Sequence, residues 1–235
     1  MKKKNNILIF TATYNESENI KKLIININKN NNIDILVIDD SSPDQTFKIL
    51  AKLKKKYRNI KLIKRKKKLG LDTAHKYAFN YARKNKYKKF ITLDADLSHD
   101  PFKIKKFIKI LDKNEFVIGS RYMRGGKCLM KKNRFLVSKY GNLLIKFIFN
   151  THCSEFTTSY RGFNIEKLKR FNLNSVRATG YSFFMVTIIE LIRLGYKITE
   201  TPIIFRDRLH GKSKIEKIEL LRTIYYLIYL KLKKH

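Results

Sequence analysis

Cysteine is nearly absent: Cys128 and Cys153 are the only two in 235 residues, and no metal-ligand spacing relates them. That scarcity argues against a disulfide framework and suits a reducing compartment. Acidic side chains are also few, 19 against 53 lysines and arginines, which leaves a net charge of +34. An excess of this sign attracts polyanions, whether nucleic acid, anionic lipid headgroups or phosphorylated substrates. Lysines are spread over most segments and accompany many asparagines, so compositional drift accounts equally well for the bulk of the excess. Long apolar runs are missing too. The most apolar late segment, Ile224–Leu230, is far shorter than the roughly 20 residues a bilayer span needs. The start, Met1-Lys-Lys-Lys-Asn-Asn, leads into a short apolar stretch and then polar residues, unlike a secretory signal, so the cytosol is the expected location. No nucleic-acid-binding motif accompanies the charge, and nucleic acid is not an expected partner.

What is present is a globular composition, 43% hydrophobic, ample for a sizeable core. Short apolar runs at Ile7–Ala12, Ile35–Asp39, Ile60–Lys64, Phe90–Asp94 and Phe116–Gly119 predict strands. Helical spacing lies between them at Glu16–Asn28, Asp44–Tyr57, Leu69–Asn85 and Pro101–Leu111. The alternation predicts an α/β fold with a mostly parallel sheet. Beyond residue 119 the pattern is looser: a basic loop, a helix over Arg134–Phe149, an apolar helix from Tyr181 to Leu194 and a strand over Lys197–Arg206.

In open sheets of this kind ligands lie beyond the carboxyl ends of the strands. Three such ends carry polar clusters: Thr13-Tyr-Asn-Glu16, Asp39-Asp-Ser-Ser42 and Asp94-Ala-Asp96. At the end of a strand Asp94 and Asp96 would point their oxygens to one side of the pleat, where two anions repel unless a cation lies between them. Hard oxygen ligands suit Mg2+ or Mn2+, which keep positions open for substrate phosphates. Asp39-Asp-Ser-Ser-Pro-Asp44 reads equally as a strand-to-helix turn with a cap, although an Asp there could accept from a base or ribose and Tyr14 could offer its ring or hydroxyl. Arg206-Asp-Arg-Leu-His-Gly-Lys-Ser-Lys214 gathers four cations and a histidine beside a glycine and suits a phosphate. His75, His152 and His210 have no partners at ligand spacing, and His99, which follows the carboxylates, reads as a residue leading into a helix and not as a catalyst.

Taken together, Ala12-Thr-Tyr-Asn-Glu16, Val37-Ile-Asp-Asp-Ser-Ser-Pro-Asp44, Asp94-Ala-Asp-Leu-Ser-His99, Gly119-Ser-Arg-Tyr122, Ser159-Tyr-Arg161, Gly180-Tyr-Ser-Phe183, Asp207-Arg208 and Gly211-Lys-Ser-Lys214 form a specific signature. In order and spacing the chain resembles the dolichyl- and polyprenyl-phosphate mannosyltransferases, inverting family-2 glycosyltransferases of GT-A fold, nearly end to end. The resemblance implies a single catalytic domain over 1–235: a nucleotide-sugar half to 119, an acceptor half over 120–214, and an amphipathic helix over 215–235 that is interfacial or binds a partner. It implies that Ala12, Tyr14, Glu16, Ile38, Asp40, Asp94, Ala95, Asp96, Arg208 and Lys214 bind GDP-mannose. It also implies that Asp94, Asp96 and Ser98 surround Mg2+ or Mn2+, that Arg121, Arg134 and Ser138 take the acceptor phosphate, and that Asp96, Arg121 and Arg208 are catalytic.

Two departures stand out. Ala12 occupies a position that is usually proline, and Ser98 stands where some members supply glutamine. The chain looks like the soluble catalytic type without membrane hairpins. Its expected partners are GDP-mannose, a polyprenyl or dolichyl phosphate, and a cytosolic membrane surface reached directly or through a small anchoring subunit. Alternatives are a lipid-phosphate transferase using UDP-glucose or another sugar nucleotide, a transferase building protein-linked or extracellular glycans, and a basic nucleic-acid-binding protein.

Overall fold

A computed structural model describes residues 5–30, 33–207 and 218–232. The first half alternates as its pattern predicts. Strands β1 (Ile7–Thr13), β2 (Asp34–Asp39), β3 (Ile60–Lys64), β4 (Lys89–Thr92) and β5 (Phe116–Ser120) are joined by helices α1 (Ser17–Asn30), α2 (Thr46–Lys56), α3 (Leu71–Lys84) and α4 (Ile104–Lys113). A 3-10 turn, Pro101–Lys103, leads into α4, and the Asp100 carboxylate caps it by accepting from Phe102 N at 2.9 Å. The remainder comprises β6 (Lys127–Leu129), α5 (Lys132–Ile148), β7 (Arg161–Asn164), α6 (Ser182–Arg193), β8 (Ile198–Pro202), β9 (Ile204–Arg206) and α7 (Ile218–Leu232).

The main sheet runs β3-β2-β1-β4-β7-β5-β8, and β7 alone is antiparallel to its neighbours. Both faces are covered, and strand alternation assigns the residues. Leu8, Phe10, Leu36 and Ile38 join the core that holds α3 and α6. Ile9, Ile35 and Val37 join the other, with Ile20, Leu23 and Ile24 of α1 and Leu50 of α2. Phe163 of β7 touches the rings of Phe79, Phe90, Phe116 and Phe171 at 4.9 to 6.3 Å, each such burial being worth roughly 2–3 kcal/mol. The crossover through α4 lies directly on β7. A Cβ on Gly162 would stand 2.8 Å from both Leu111 Cδ1 and Val117 Cγ1, so glycine is what lets the helix approach.

The structure redraws two expected strands. Lys197–Arg206 is not one strand: Pro202 closes β8 beside β5, and the chain crosses to pair β9 with β6 in a separate two-stranded sheet, inside the expected basic loop. Proline has no N–H to continue a ladder. Strand β4 ends at Thr92, so Asp94 and Asp96 stand in the turn beyond it and not on its pleat. That turn contains Leu97 at φ 62°, and the turns after β1 and β2 contain Asn15 at 55° and Ser41 at 59°. Left-handed backbone at non-glycine residues costs about 1 kcal/mol or more, and here it collects at the ends of three adjacent strands.

Candidate functional site

Those three strand ends border a cavity of about 530 Å³, within the usual range for a small-molecule site. Ala12, Tyr14, Glu16, Asp40, Asp94, Ala95 and Asp96 all line it. The opposite wall is Lys68–Thr73, Thr179–Tyr181 and Arg222 of α7.

Hydrogen bonds fix the rim. Thr13 Oγ1 donates to Asp39 Oδ1 at 2.9 Å, and Ser42 donates to both Asp39 oxygens, so the fully buried Asp39 locks β1 to β2. Asp44 accepts from Ser17 N at 3.1 Å and Thr46 N at 2.9 Å, tying together the starts of α1 and α2. Partial burial pushes its carboxyl up, but the bonds from Thr46 and Ser17 outweigh this and hold it below the usual range. Asp40 is engaged more fully: Oδ1 meets Arg65 Nη1 at 2.9 Å, and Oδ2 accepts from Leu69 N at 3.2 Å and Gly70 N at 3.0 Å. Its carboxylate holds the loop that brings Lys68 Nζ 4.7 Å from the centre of the Tyr14 ring. Asp40 therefore shapes the cavity wall, whatever contact it also makes with a ligand.

At the end of β4, Ser159 Oγ donates to Asp94 Oδ1 at 2.5 Å, and Asp96 Oδ1 accepts from Ser98 N at 3.1 Å. His99 is buried, and its Nδ1 accepts from Asp94 N at 3.1 Å while Nε2 lies 3.0 Å from Thr158 Oγ1. An Nδ1 that accepts carries no proton, so the neutral ring bears its hydrogen on Nε2 and donates to Thr158. The 3.6 Å approach of Nδ1 to Asp94 Oδ2 is then no ion pair. Burial lowers the His99 pKa against the pull of Asp94 and Asp96, in agreement with that geometry. His99 thus braces the Asp94 turn, a task beyond leading into the helix.

Arg121, Arg134 and Ser138 gather beyond the cavity lining, around β5 and the start of α5. Arg121 is 7% exposed; Nε donates to Glu155 Oε2 at 2.7 Å, and Nη2 donates to Glu155 Oε1 at 2.8 Å and Thr157 Oγ1 at 2.7 Å. Burial penalises both charges, but each holds the other: Arg121 is raised above the ordinary arginine value and Glu155 lowered below the ordinary carboxylate one. Tyr122 OH donates to Ser138 Oγ at 2.7 Å, and Arg134 Nη1 lies 3.2 Å from Asp207 Oδ1. Gly126 is required here, because a Cβ on it would fall 2.6 Å from Ser120 O and 2.8 Å from Arg121 O.

Two expected residues lie elsewhere. Ile38 is fully buried in the core, since alternation along β2 turns it inward with Leu36. Ser98 is 1% exposed and does not line the cavity, and its Oγ has no hydrogen-bond partner among the described residues. Arg208 and Lys214 lie outside the described residues. Sequence reasoning missed Lys68, Asp72, Thr179, Arg222, Glu155 and the bracing role of His99. Two signals pointed to the opposite wall: Gly180-Tyr181, which belongs to the signature, and Gly70, the N-cap of α3 at φ 93°, opening a helix beside a lysine run.

Among the described residues no group of three His, Cys, Asp or Glu side chains converges on a metal position. Asp94 and Asp96 nonetheless fit a hard divalent cation, because such ions commonly take one or two carboxylates and leave the other positions to phosphate and water. Ser98, whose buried hydroxyl oxygen has no hydrogen-bond partner among the described residues, stands beside them in sequence.

Residues 8–171 match the family described as Glycosyl transferase family 2. The chain belongs to that family. Polyprenol monophosphomannose synthase of Mycolicibacterium smegmatis is 30% identical over 93% of this chain and 84% of its own length. Undecaprenyl-phosphate mannosyltransferase of Micrococcus luteus is 28% identical over 89% of this chain and 87% of its own. Among solved structures, a mannosyltransferase of Pyrobaculum calidifontis in complex with GDP-Man and Mn2+ superimposes with a TM-score of 0.60 at 15% identity, covering 90% of this chain and 59% of that one. At that identity the likeness concerns the fold, the GT-A architecture of this glycosyltransferase.

Proposed function

We propose that this glycosyltransferase moves mannose from GDP-mannose to a polyprenyl or dolichyl phosphate with inversion, at the cytosolic face of a membrane. The observation that carries the reading is the cavity, which sets Asp94 and Asp96 in the same pocket as Tyr14, Glu16 and the Lys68–Thr73 wall. It belongs to a chain whose relatives, matched over most of their length, are named for mannosyl transfer to polyprenyl phosphates.

The chemistry asks little of a base. A phosphate monoester is already ionised near pH 7. Its oxygen forms a bond to the anomeric carbon as the bond from that carbon to the diphosphate breaks, and no proton has to leave. Attack opposite the leaving group inverts the centre. His99, the imidazole beside the carboxylates, has both ring nitrogens engaged and is not needed as a catalyst. Asp94 and Asp96 would hold Mg2+ or Mn2+, whose charge favours departure of the diphosphate. Two anions must still be brought together, and cations at Arg121, Arg134, Arg208 and Lys214 would offset the repulsion, with Ser138 adding a hydroxyl at the acceptor phosphate. The held fork of Arg121 fits it to act from a fixed position.

An isoprenoid tail stays in lipid, so the site must open at a membrane surface. Helix α5 carries Arg134 and Ser138 near its start and then Val137, Tyr140, Leu143, Leu144 and Phe147, all exposed, with Phe147 84% exposed. So many large apolar side chains together mark an interaction surface. Exposed Lys132 and Lys139 on the same helix suit anionic headgroups. No described helix is long and apolar enough to cross a membrane, which leaves α5 and α7 to lie on the bilayer or against a small anchoring subunit.

The test is transfer of labelled sugar from GDP-mannose, with UDP-glucose in parallel, into organic-extractable lipid in the presence of polyprenyl phosphate and Mg2+ or Mn2+. Product from GDP-mannose that disappears in Asp96→Ala is expected. Product from UDP-glucose alone would change the donor, and no lipid product from either, even with membranes added, would overturn the lipid acceptor.

A further inference from the structure

Arg222 lines the cavity, yet it belongs to the C-terminal helix, whose other faces turn elsewhere. At 3.6 residues per turn α7 divides into three stripes. Leu227 and Leu230 are buried against the body, where Arg193 Nη2 bonds Leu230 O and Tyr226 OH donates to Arg177 O at 3.3 Å. Ile224, Ile228 and Leu232 recur every four residues beside Tyr225 and are exposed, Leu232 at 75%. Arg222 lies between those stripes. At the far end of α7, Lys231 Nζ donates to Ile148 O at 3.1 Å, which sets the outer stripe beside the end of α5 and its exposed Phe147.

Among the described residues that line the cavity, the carboxylates of Glu16, Asp40, Asp72, Asp94 and Asp96 outnumber the cations, Lys68 and Arg222, and Arg65 pairs with Asp40 from outside the lining. A nucleotide diphosphate entering that wall gains from every positive charge, and arginine is the better phosphate partner because its fork donates from two nitrogens. Arg222 reaches the wall only when α7 is seated. A helix of 15 residues is marginal on its own, and α7 is seated by a narrow buried stripe while its widest apolar stripe has no cover among the described residues. An anionic bilayer meets both needs of that outer face: it covers Ile224, Tyr225, Ile228 and Leu232, and it attracts Lys231 at the rim.

Resting on the reading of the cavity as a sugar-nucleotide site, we propose that Arg222 is a phosphate-binding residue of the donor site delivered by α7. Docking of the outer stripe of α7 on anionic lipid therefore strengthens sugar-nucleotide binding. Both ligands favour the seated helix, so each raises the affinity for the other by the same factor.

The test is calorimetric binding of GDP to the full chain with Mn2+ at fixed ionic strength, with and without vesicles containing phosphatidylglycerol. GDP is expected to bind about fivefold tighter with vesicles, the lower end of usual coupling. Arg222→Gln is expected to weaken binding about tenfold without vesicles, the scale of one charge-assisted hydrogen bond, and to remove most of the vesicle gain. Arg222→Lys, which keeps the charge, is expected to fall between, and Ile228→Ser with Leu232→Ser to shrink the gain. An Arg222→Gln protein that melts with the wild type and binds GDP equally well overturns the assignment, and wild-type affinity indifferent to vesicles overturns the linkage, both leaving the proposed function intact. Binding of neither GDP nor UDP under any condition overturns the sugar-nucleotide reading and this inference with it.

Discussion

Replacing Glu155 by glutamine preserves shape and removes one charge from a site where both carboxylate oxygens face donors. Oε2 meets Arg121 Nε at 2.7 Å; Oε1 meets Arg121 Nη2 at 2.8 Å, Thr157 Oγ1 at 2.9 Å, Thr157 N at 3.0 Å and Thr158 N at 3.2 Å. Whichever way a glutamine amide turns, its NH2 confronts at least one of these donors, and Arg121, 7% exposed, is left as a buried cation without its counter-charge. Breaking one side of a buried pair costs about 3–5 kcal/mol. In a chain of this size each kcal/mol moves the melting temperature by roughly 2–4 °C, so Glu155→Gln should melt on the order of 10 °C below the wild type. Urea unfolding followed by circular dichroism gives the same quantity without heating. The sign with pH is fixed as well. The Glu155 carboxyl is lowered in the folded chain, so its contribution is fully present above the ordinary glutamate value of about 4.3 and is lost as pH falls through the folded value. The variant should therefore differ most from wild type near neutrality and converge with it in acid. Arg121→Met combined with Glu155→Gln should recover part of the loss, since no buried charge then lacks a partner. A loss below about 1 kcal/mol for Glu155→Gln alone would refute the reasoning, because the pair would then be no more than a surface ion pair in its energetics.

His75 is boxed by Phe10, Phe183 and Phe184 at 5.0 to 5.9 Å, and burial lowers its pKa to about 3. It folds neutral, so the unfolded chain takes up a proton first as pH falls below about 6.5, and roughly 2 kcal/mol of stability should be lost between pH 6.5 and 4.5. His75→Phe should flatten denaturant midpoints over that interval, and an unchanged slope would count against the assignment. Phe147→Ser should leave thermal stability within about 0.5 kcal/mol, since the ring is 84% exposed, yet lower co-sedimentation with anionic vesicles about tenfold by forfeiting one buried aromatic side chain. Equal partitioning of variant and wild type would remove α5 from the membrane face.

The sheet was legible because its strands are short, apolar and buried on both faces, so Ile60–Lys64 appears with the expected bounds and β1, β2 and β5 within a residue at either end. The same alternation turns Ile38 into the core beside Leu36, fully buried, which its place in the signature conceals. The near rim of the cavity was legible for a related reason, since in a parallel sheet the functional positions immediately succeed apolar runs. Of the far wall only Gly180 and Tyr181 stood in the signature. Lys68 ends a lysine run that looks like a solvated face, Asp72 reads as an ordinary first-turn acid of α3, and Arg222 sits in an apolar helix some 150 residues further along. Only the packing of α3, α6 and α7 onto one side of the sheet brings them to the same space, and no local spacing encodes that.

Glu155 was invisible for a different reason, and the reason bears on how the site works. Ser159-Tyr-Arg161 was part of the signature, yet nothing in it says that the segment from Glu155 to Arg161 touches both the Asp94 turn and Arg121. Glu155 holds Arg121, Thr158 accepts a hydrogen bond from His99, which braces the Asp94 turn, and Ser159 bonds Asp94 directly. Arg161, 1% exposed, secures the segment from below by donating to Thr158 O at 2.7 Å and Phe156 O at 2.8 Å while its guanidinium lies 4.8 Å from the centre of the Phe184 ring. Burial without a carboxylate in contact lowers that guanidinium to about 9, the mark of a charge kept for its donors and not for an ion pair. Antiparallel β7 begins at Arg161 itself, pinned between β4 and β5. The spacing between the Asp94–Asp96 edge and the Arg121 fork is therefore set by one short stretch of backbone anchored in the middle of the sheet. A displacement of either edge has to strain the other, which is the rigidity the proposed reaction needs if two anions are to meet at a fixed distance.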